Sequence, residues 1–337
     1  MGLNLAGLTA YVEERQDPLV KASLFGAKMM QNATVLDNIK GNTALPRLSQ
    51  TVYFQTDACG FNATGDTTIT QRLLVPGKVR INQQWCPKDF EPYFLRAGIP
   101  AGAMREKVDP EAIFQAITSY IVDIVNQEVD KAVWQARITA SGGGVGSTVP
   151  MGTGNNAYWD GLRFQIQDSI GGGTYIDANS TSIYDSSAIA AFNVSTMQEA
   201  CMRIYMALAN NGLDQGDDTI VYMGYDKFTA LVASLIAGGA TYGAILNGGF
   251  QGSPDPRMGG LTFPGTNLKV LPVAGLNSIN AIYGTKKSNV FIGVDGASDT
   301  TAFDVWYSKD DRVVKFAQEF KISTQIALPG EVAAIVL

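Results

Sequence analysis

Residues Asp109 to Ile138 read DPEAIFQAITSYIVDIVNQEVDKAVWQARI, and this stretch constrains the chain more than any other. Asp109 is a good helix N-cap, Pro110 suits the first turn, and Glu111 complements the helix dipole. Ile113, Ile117, Tyr120, Ile121, Ile124, Val125, Val129, Ala132, Val133 and Ala136 recur at spacings of three and four, which predicts one continuous apolar stripe. Gln115, Ser119, Asp123, Asn126, Gln127, Asp130 and Lys131 fall on the opposite side. The helix is expected to stop at Ser141-Gly142-Gly143-Gly144. At ~1.5 Å per residue the stretch makes a rod of roughly 45 Å. A globular helix averages about 11–12 residues. This one is a spine across which other pieces must lie.

The chain has 337 residues, enough for two domains or for one domain with long excursions. Hydrophobic residues make up 46%, so a core can form, whereas charged residues supply only 17%. A lightly charged, amide-rich surface fits a protein that hides much of itself against partners. The net charge of −6 argues against a nucleic-acid binder that works by neutralising phosphates. Cys59, Cys86 and Cys201 are odd in number and widely spaced, giving neither a disulfide framework nor a zinc pattern. A reducing compartment follows as the expectation. No basic region and apolar block open the sequence, so no signal peptide is expected. The uncharged run from Phe228 to Pro254 is too rich in glycine for a membrane span and reads as a short buried helix leading into a loop.

Taken in order, residues 1–45 read as an arm. Two short amphipathic helices, around Leu3–Val12 and Leu19–Met30, are unable to bury their faces alone. Residues 46–87 read as a long hairpin. One arm is Leu48–Thr56, the tip is Asp57–Thr68, and the return runs from Ile69 to Trp85 with a break at Pro76-Gly77. A lone two-stranded ribbon is marginal in water and has open edges. Its many polar residues favour a position against another subunit. After the spine, Trp159 to Ile166 is expected to turn into a short helix.

The texture changes near residue 195. Ser195 with Gln198, or Thr196 with Glu199, offers a capping box for a helix ending near Asn210. Thr219–Met223, Leu268–Val273, Ala281–Tyr283 and Asn289–Val294 are short apolar strands, and Asp226–Ala237 is a helix. Residues 196–296 therefore read as an α/β lobe. Strands close the chain at Ala302–Tyr307, Val313–Ile326 and Glu331–Leu337; the middle one is expected to keep a wet face at Lys315, Gln318, Glu319, Lys321 and Ser323.

Catalytic signals are sparse. The sequence has no histidine, which removes Ser-His and Cys-His nucleophile pairs and His metal ligands. Gly143-Gly-Val-Gly-Ser-Thr148 lacks the lysine of a phosphate loop and follows a helix, and Gly152-Thr-Gly-Asn-Asn-Ala157 has no strand before it. Asp214, Asp217 and Asp218 lack the spacing of a calcium loop and read as a turn. No catalytic, cofactor-binding or metal-binding residue is nominated.

The order of parts carries a resemblance. An arm and an extended hairpin precede a spine helix, then Trp159-Asp-Gly-Leu162, then a lobe with Thr219-Ile-Val-Tyr-Met-Gly-Tyr-Asp-Lys-Phe228 and Asn289-Val-Phe-Ile-Gly-Val-Asp295, then closing strands. This resembles the major capsid protein of tailed bacteriophages, whose fold is shared with encapsulin shells. The resemblance implies an α+β phage-capsid-type fold with an N-arm (1–45), an extended loop (46–87), a peripheral domain (88–195 and 297–337, with the spine at 109–138) and an α/β axial domain (196–296). It implies pentamers and hexamers in an icosahedral shell around double-stranded DNA, in a virion assembled in the host cytoplasm. Thr51, Tyr53, Gln55, Arg72, Lys78, Arg80 and Trp85 become the expected inter-subunit contacts. Some family members cross-link a loop lysine to an asparagine. Lys78 lies in the loop here, but no partner Asn or catalytic Glu can be matched. The arm starts almost at Met1, so a separate scaffolding protein is expected, alongside a portal and decoration proteins. An encapsulin-type compartment is the close alternative, and a carboxylate-dependent hydrolase in the 196–296 lobe the remote one.

Overall fold

A computed structural model describes residues 27–50, 53–54, 65–86, 110–138, 154–167, 175–179, 189–213, 218–237, 261–266, 268–295, 303–308, 310–311 and 313–337. The spine is α2, Pro110–Gln135 (α1, Lys28–Gln31, precedes it). Asp109, the expected N-cap, lies outside the described residues. The helix ends earlier than expected, because the chain past Gln135 turns its backbone bonds to other loops. Arg137 N–H donates to Asn156 O, and Ala136 O accepts from Gly161 N–H. The apolar stripe is also rotated. Ile121, Val122, Val125, Val129, Ala132, Val133 and Ala136 are buried, whereas Tyr120 is 67% exposed and Ile124 is exposed too. Asp130, expected on the wet side, faces protein: its carboxylate accepts from the N–H groups of Lys28 (3.0 Å) and Met29 (2.9 Å).

Two main sheets pack with the spine. The first has the order β1 (Thr34–Asp37), β10 (Val290–Asp295), β12 (Val313–Ile326), β11 (Phe303–Ser308), and β4 (Gly77–Trp85) pairs with β12 as well. The second runs β5 (Ile176–Asp177), β13 (Ala333–Val336), β9 (Ala281–Lys286), β6 (Thr219–Met223), β8 (Lys269–Pro272), β7 (Leu261–Thr262). The sequence reading divides the lobes at 296/297, but the strands cross that line. Val290–Asp295 joins the first sheet, and Ala333–Val336 joins the second.

Strand alternation splits the second sheet between two cores. Ile220, Tyr222, Leu271, Tyr283 and Ala334 face the spine and the first sheet. Val221, Met223, Val270, Ile282 and Ile335 face the helix pair α4 (Met197–Asn210) and α5 (Tyr225–Ala237). Trp134 locks the spine to this sheet: its ring stacks on Tyr283 at 5.5 Å and tilts against Tyr222 at 5.2 Å between centroids. The short helix α3, Leu162–Gln167, forms where expected and buries Leu162, Phe164 and Ile166.

Three local expectations are corrected. The helix α4 has no capping box. Asn193 Oδ1 accepts from the N–H groups of Ser195 and Thr196 instead, and Glu199 is drawn to Arg203. In β12 the wet face stops early. Val314, Phe316, Phe320 and Ile322 alternate inward as expected, but Gln318 also points in, and Ser323, Thr324 and Gln325 are buried too. Part of the supposed arm belongs to the body. Met29 and Met30 are buried, and β1 pairs in parallel with β10. Tyr222 OH donates to Asn32 O at 2.8 Å, and Lys287 Nζ to Gln31 O at 2.8 Å. Among the described residues no helix is long and apolar enough to cross a membrane.

Candidate inter-subunit surface

The hairpin is shorter than the sequence suggests. β2 (Thr43–Gln50) pairs antiparallel with β3 (Thr67–Leu74), from Thr43 opposite Leu74 to Gln50 opposite Thr67. At Pro76-Gly77 the chain leaves the ribbon. β4 does not continue the return arm; it pairs with β12 of its own chain, from Gly77 opposite Ile322 to Trp85 opposite Val314. A proline donates no ladder bond, so the break at Pro76 is where the two pairings can part.

The ribbon's root is tied to the body. Leu45 and Leu74 are buried with Ile39, and Leu36 and Phe291 pack against them. The approach is close because Gly293 lacks a side chain: a Cβ there would lie 2.3 Å from both Ile39 Cδ1 and Leu74 Cδ2. Gln325 Nε2 donates to Leu73 O (2.8 Å), and Arg72 Nη1 donates to Ile326 O (3.0 Å).

Beyond the root, the register sorts the side chains onto two faces. One face carries Leu45, Arg47, Thr70, Arg72 and Leu74. The other carries Ala44, Pro46, Ile69, Gln71 and Leu73, and it is open to solvent: Ile69 is 75% exposed and Leu73 is exposed as well. Val75 extends this apolar edge, and past the ribbon Tyr53 (63%) and Phe54 stand exposed. A sheet face with its apolar side outward is the reverse of what a lone subunit needs.

The sequence-nominated contacts scatter across this region. Thr51 and Gln55 lie outside the described residues. Tyr53 is exposed beyond β2, and Arg72 sits half-buried at the root against its own Ile326. Lys78 and Arg80 are exposed on β4, where Arg80 pairs with Glu319 at 2.9 Å, and Trp85 packs partly buried against the main core. Among the described residues, the edge of β4 away from β12 has no strand partner. Beside the expected contacts stand exposed apolar side chains that the sequence reading leaves out: Ile69, Leu73, Val75 and Phe54. The signal was present: with Thr67–Leu74 as a strand, Ile69 and Leu73 fall on one side with Gln71.

Chemistry elsewhere is thin. Among the described residues no cluster of three His, Cys, Asp or Glu side chains is able to hold a metal ion. An open depression between the start of α4 and the end of α5 is lined, among the described residues, by Asn193, Val194, Ser195, Gln198, Ser234 and Ala237, none of them acidic or basic. Cys201 is buried, and that burial pushes its thiol pKa up to about 12.

No protein-family model matches the chain, and no curated protein matches it. Solved structures do. A chain of the satellite phage P4 procapsid superposes with a TM-score of 0.55 at 12% identity, over 95% of this chain and 89% of that one. A chain from Gordonia phage Cozz gives 0.52 at 11% identity, over 92% and 86%. One from Microbacterium phage Oxtober96 gives 0.51 at 14%, over 92% and 90%. Identities this low speak to the path of the chain alone, and along nearly all of its length that path is the capsid-shell fold of tailed bacteriophages.

Proposed function

We propose that this chain is the major capsid protein of a tailed bacteriophage, a structural subunit without a catalytic step. The observation that carries the reading is the outward apolar face of the β2–β3 ribbon, with Ile69 and Leu73 exposed on it. Such a face is stabilised when a neighbouring copy covers it, at about 25 cal/mol per Å² of apolar surface removed from water. The fold likeness to phage capsid chains supports the same reading. In this reading, copies gather as pentamers and hexamers into an icosahedral shell enclosing double-stranded DNA. A separate scaffolding protein, a portal and decoration proteins complete the particle in the infected cell. A net charge of −6 suits a wall that leaves packaged phosphates loosely held.

Electron microscopy of the purified chain, alone and with its candidate scaffold, is the test. Closed shells with five-fold and six-fold clusters are the expected result. A chain that stays monomeric at high concentration under both conditions, with residues 43–74 protected from proteases, would overturn the proposal.

A further inference from the structure

The inner face of the ribbon holds two cations close together. Arg47 lies diagonally across from Arg72, since Leu45 pairs with Arg72 and Arg47 with Thr70. Diagonal neighbours in a sheet are about 7–8 Å apart, within reach of two arginine side chains. Arg72 is half-buried and spends one donor on Ile326 O, while Arg47 is exposed. Burial, and then the charge of Arg47, push the Arg72 guanidinium below its usual value. Among the described residues neither arginine meets a carboxylate; the ion pairs involve Arg80, Lys131, Arg203, Lys227, Lys315 and Lys321. Two like charges are thus held on one face, one of them partly desolvated, with no anion paired to them among the described residues. Each guanidinium fork matches a carboxylate in two-bond geometry.

We propose that Arg47 and Arg72 form a receptor for a carboxylate supplied by a neighbouring copy of this chain. The inference rests on the shell reading and names a contact within it. Charge distribution selects the partner. Residues 43–74 carry Arg47 and Arg72 against Asp57 and Asp66, a net charge of zero, so the whole −6 of the chain lies outside the ribbon. The arginine pair sits on a neutral ribbon of an otherwise acidic molecule, so the acidic body of another copy is the complementary surface at hand. Asp37, Asp123, Asp304 and Asp310 are exposed carboxylates among the described residues and outside every ion pair there.

The experiment measures the critical concentration for assembly of the nuclease-treated full chain, by light scattering, over a series of sodium chloride concentrations. Arg47→Gln is expected to raise that concentration about tenfold or more at low salt and to flatten its salt dependence, whereas Arg47→Lys keeps most of both. Arg47 is exposed, so the thermal melt of each variant monomer should match the wild type. An Arg47→Gln protein that assembles at the wild-type concentration with the wild-type salt slope overturns the receptor and leaves the shell reading standing. A defect that appears only when DNA or RNA is present also overturns it, by assigning the pair to phosphate. A wild type that never assembles removes both readings together.

Discussion

The Asp130 carboxylate accepts two backbone N–H groups, from Lys28 and Met29, and so closes the first turn of α1 from a different helix. Burial raises its pKa; the two N–H bonds and the Lys28 charge pull it down, and the net direction is up from 3.8. The folded chain therefore holds this proton more tightly than the unfolded chain does. The stability it contributes is fully present below pH 3.8 and is lost as the pH rises through the folded value. Asp130→Asn removes that slope, so wild type should gain stability relative to the variant as acid is added, read by urea unfolding at several pH values. Cys201 makes a second test at this scale. With its pKa pushed up to about 12 it should resist alkylation at pH 8 in the folded protein. Mass spectrometry should find Cys201 unmodified until denaturant is added, while the half-buried Cys86 is modified earlier.

Among the elements, β12 does most to organise the first sheet, with fourteen residues that pair on one edge with β4 and on the other with β10 and β11. Entry to β4 depends on Gly77, where a Cβ would sit 2.0 Å from the carbonyl oxygen of Tyr158. Backbone must move to admit it, so Gly77→Ala is expected to cost about 1–3 kcal/mol, measured as a fall in the urea midpoint. Elements with strong local period were legible in the sequence: the spine, α5, β6 and β12 lie within a few residues of their expected bounds. Pairing partners were not. Nothing within Gly77–Trp85 says that its neighbour lies more than 220 residues away in β12 rather than across a hairpin. The faces of the ribbon were hidden for a related reason. The register turns Arg72 inward and Ile69 outward, and register is a property of two strands, so neither strand alone tells which side chains the ribbon displays.

At the scale of the whole molecule, the body and the ribbon obey opposite rules. The body buries apolar residues on both sides of the six-stranded sheet, whereas the ribbon displays them. Ile69→Asp should therefore leave the monomer within about 0.5 kcal/mol of wild type in urea unfolding, because Ile69 is already 75% exposed. The same change should abolish shells in electron micrographs. The exchange of strands between the sheets has a further consequence, for the order of events during synthesis. The six-stranded sheet has β13, residues 333–336, between β5 and β9, so a nascent polypeptide holds an open gap there until the ribosome has passed residue 336. The display of Ile69 precedes that moment by more than 260 codons. A sticky ribbon thus emerges well before the body that anchors it is complete, and on the proposed shell reading slower translation should lower the share of subunits that fold before they associate.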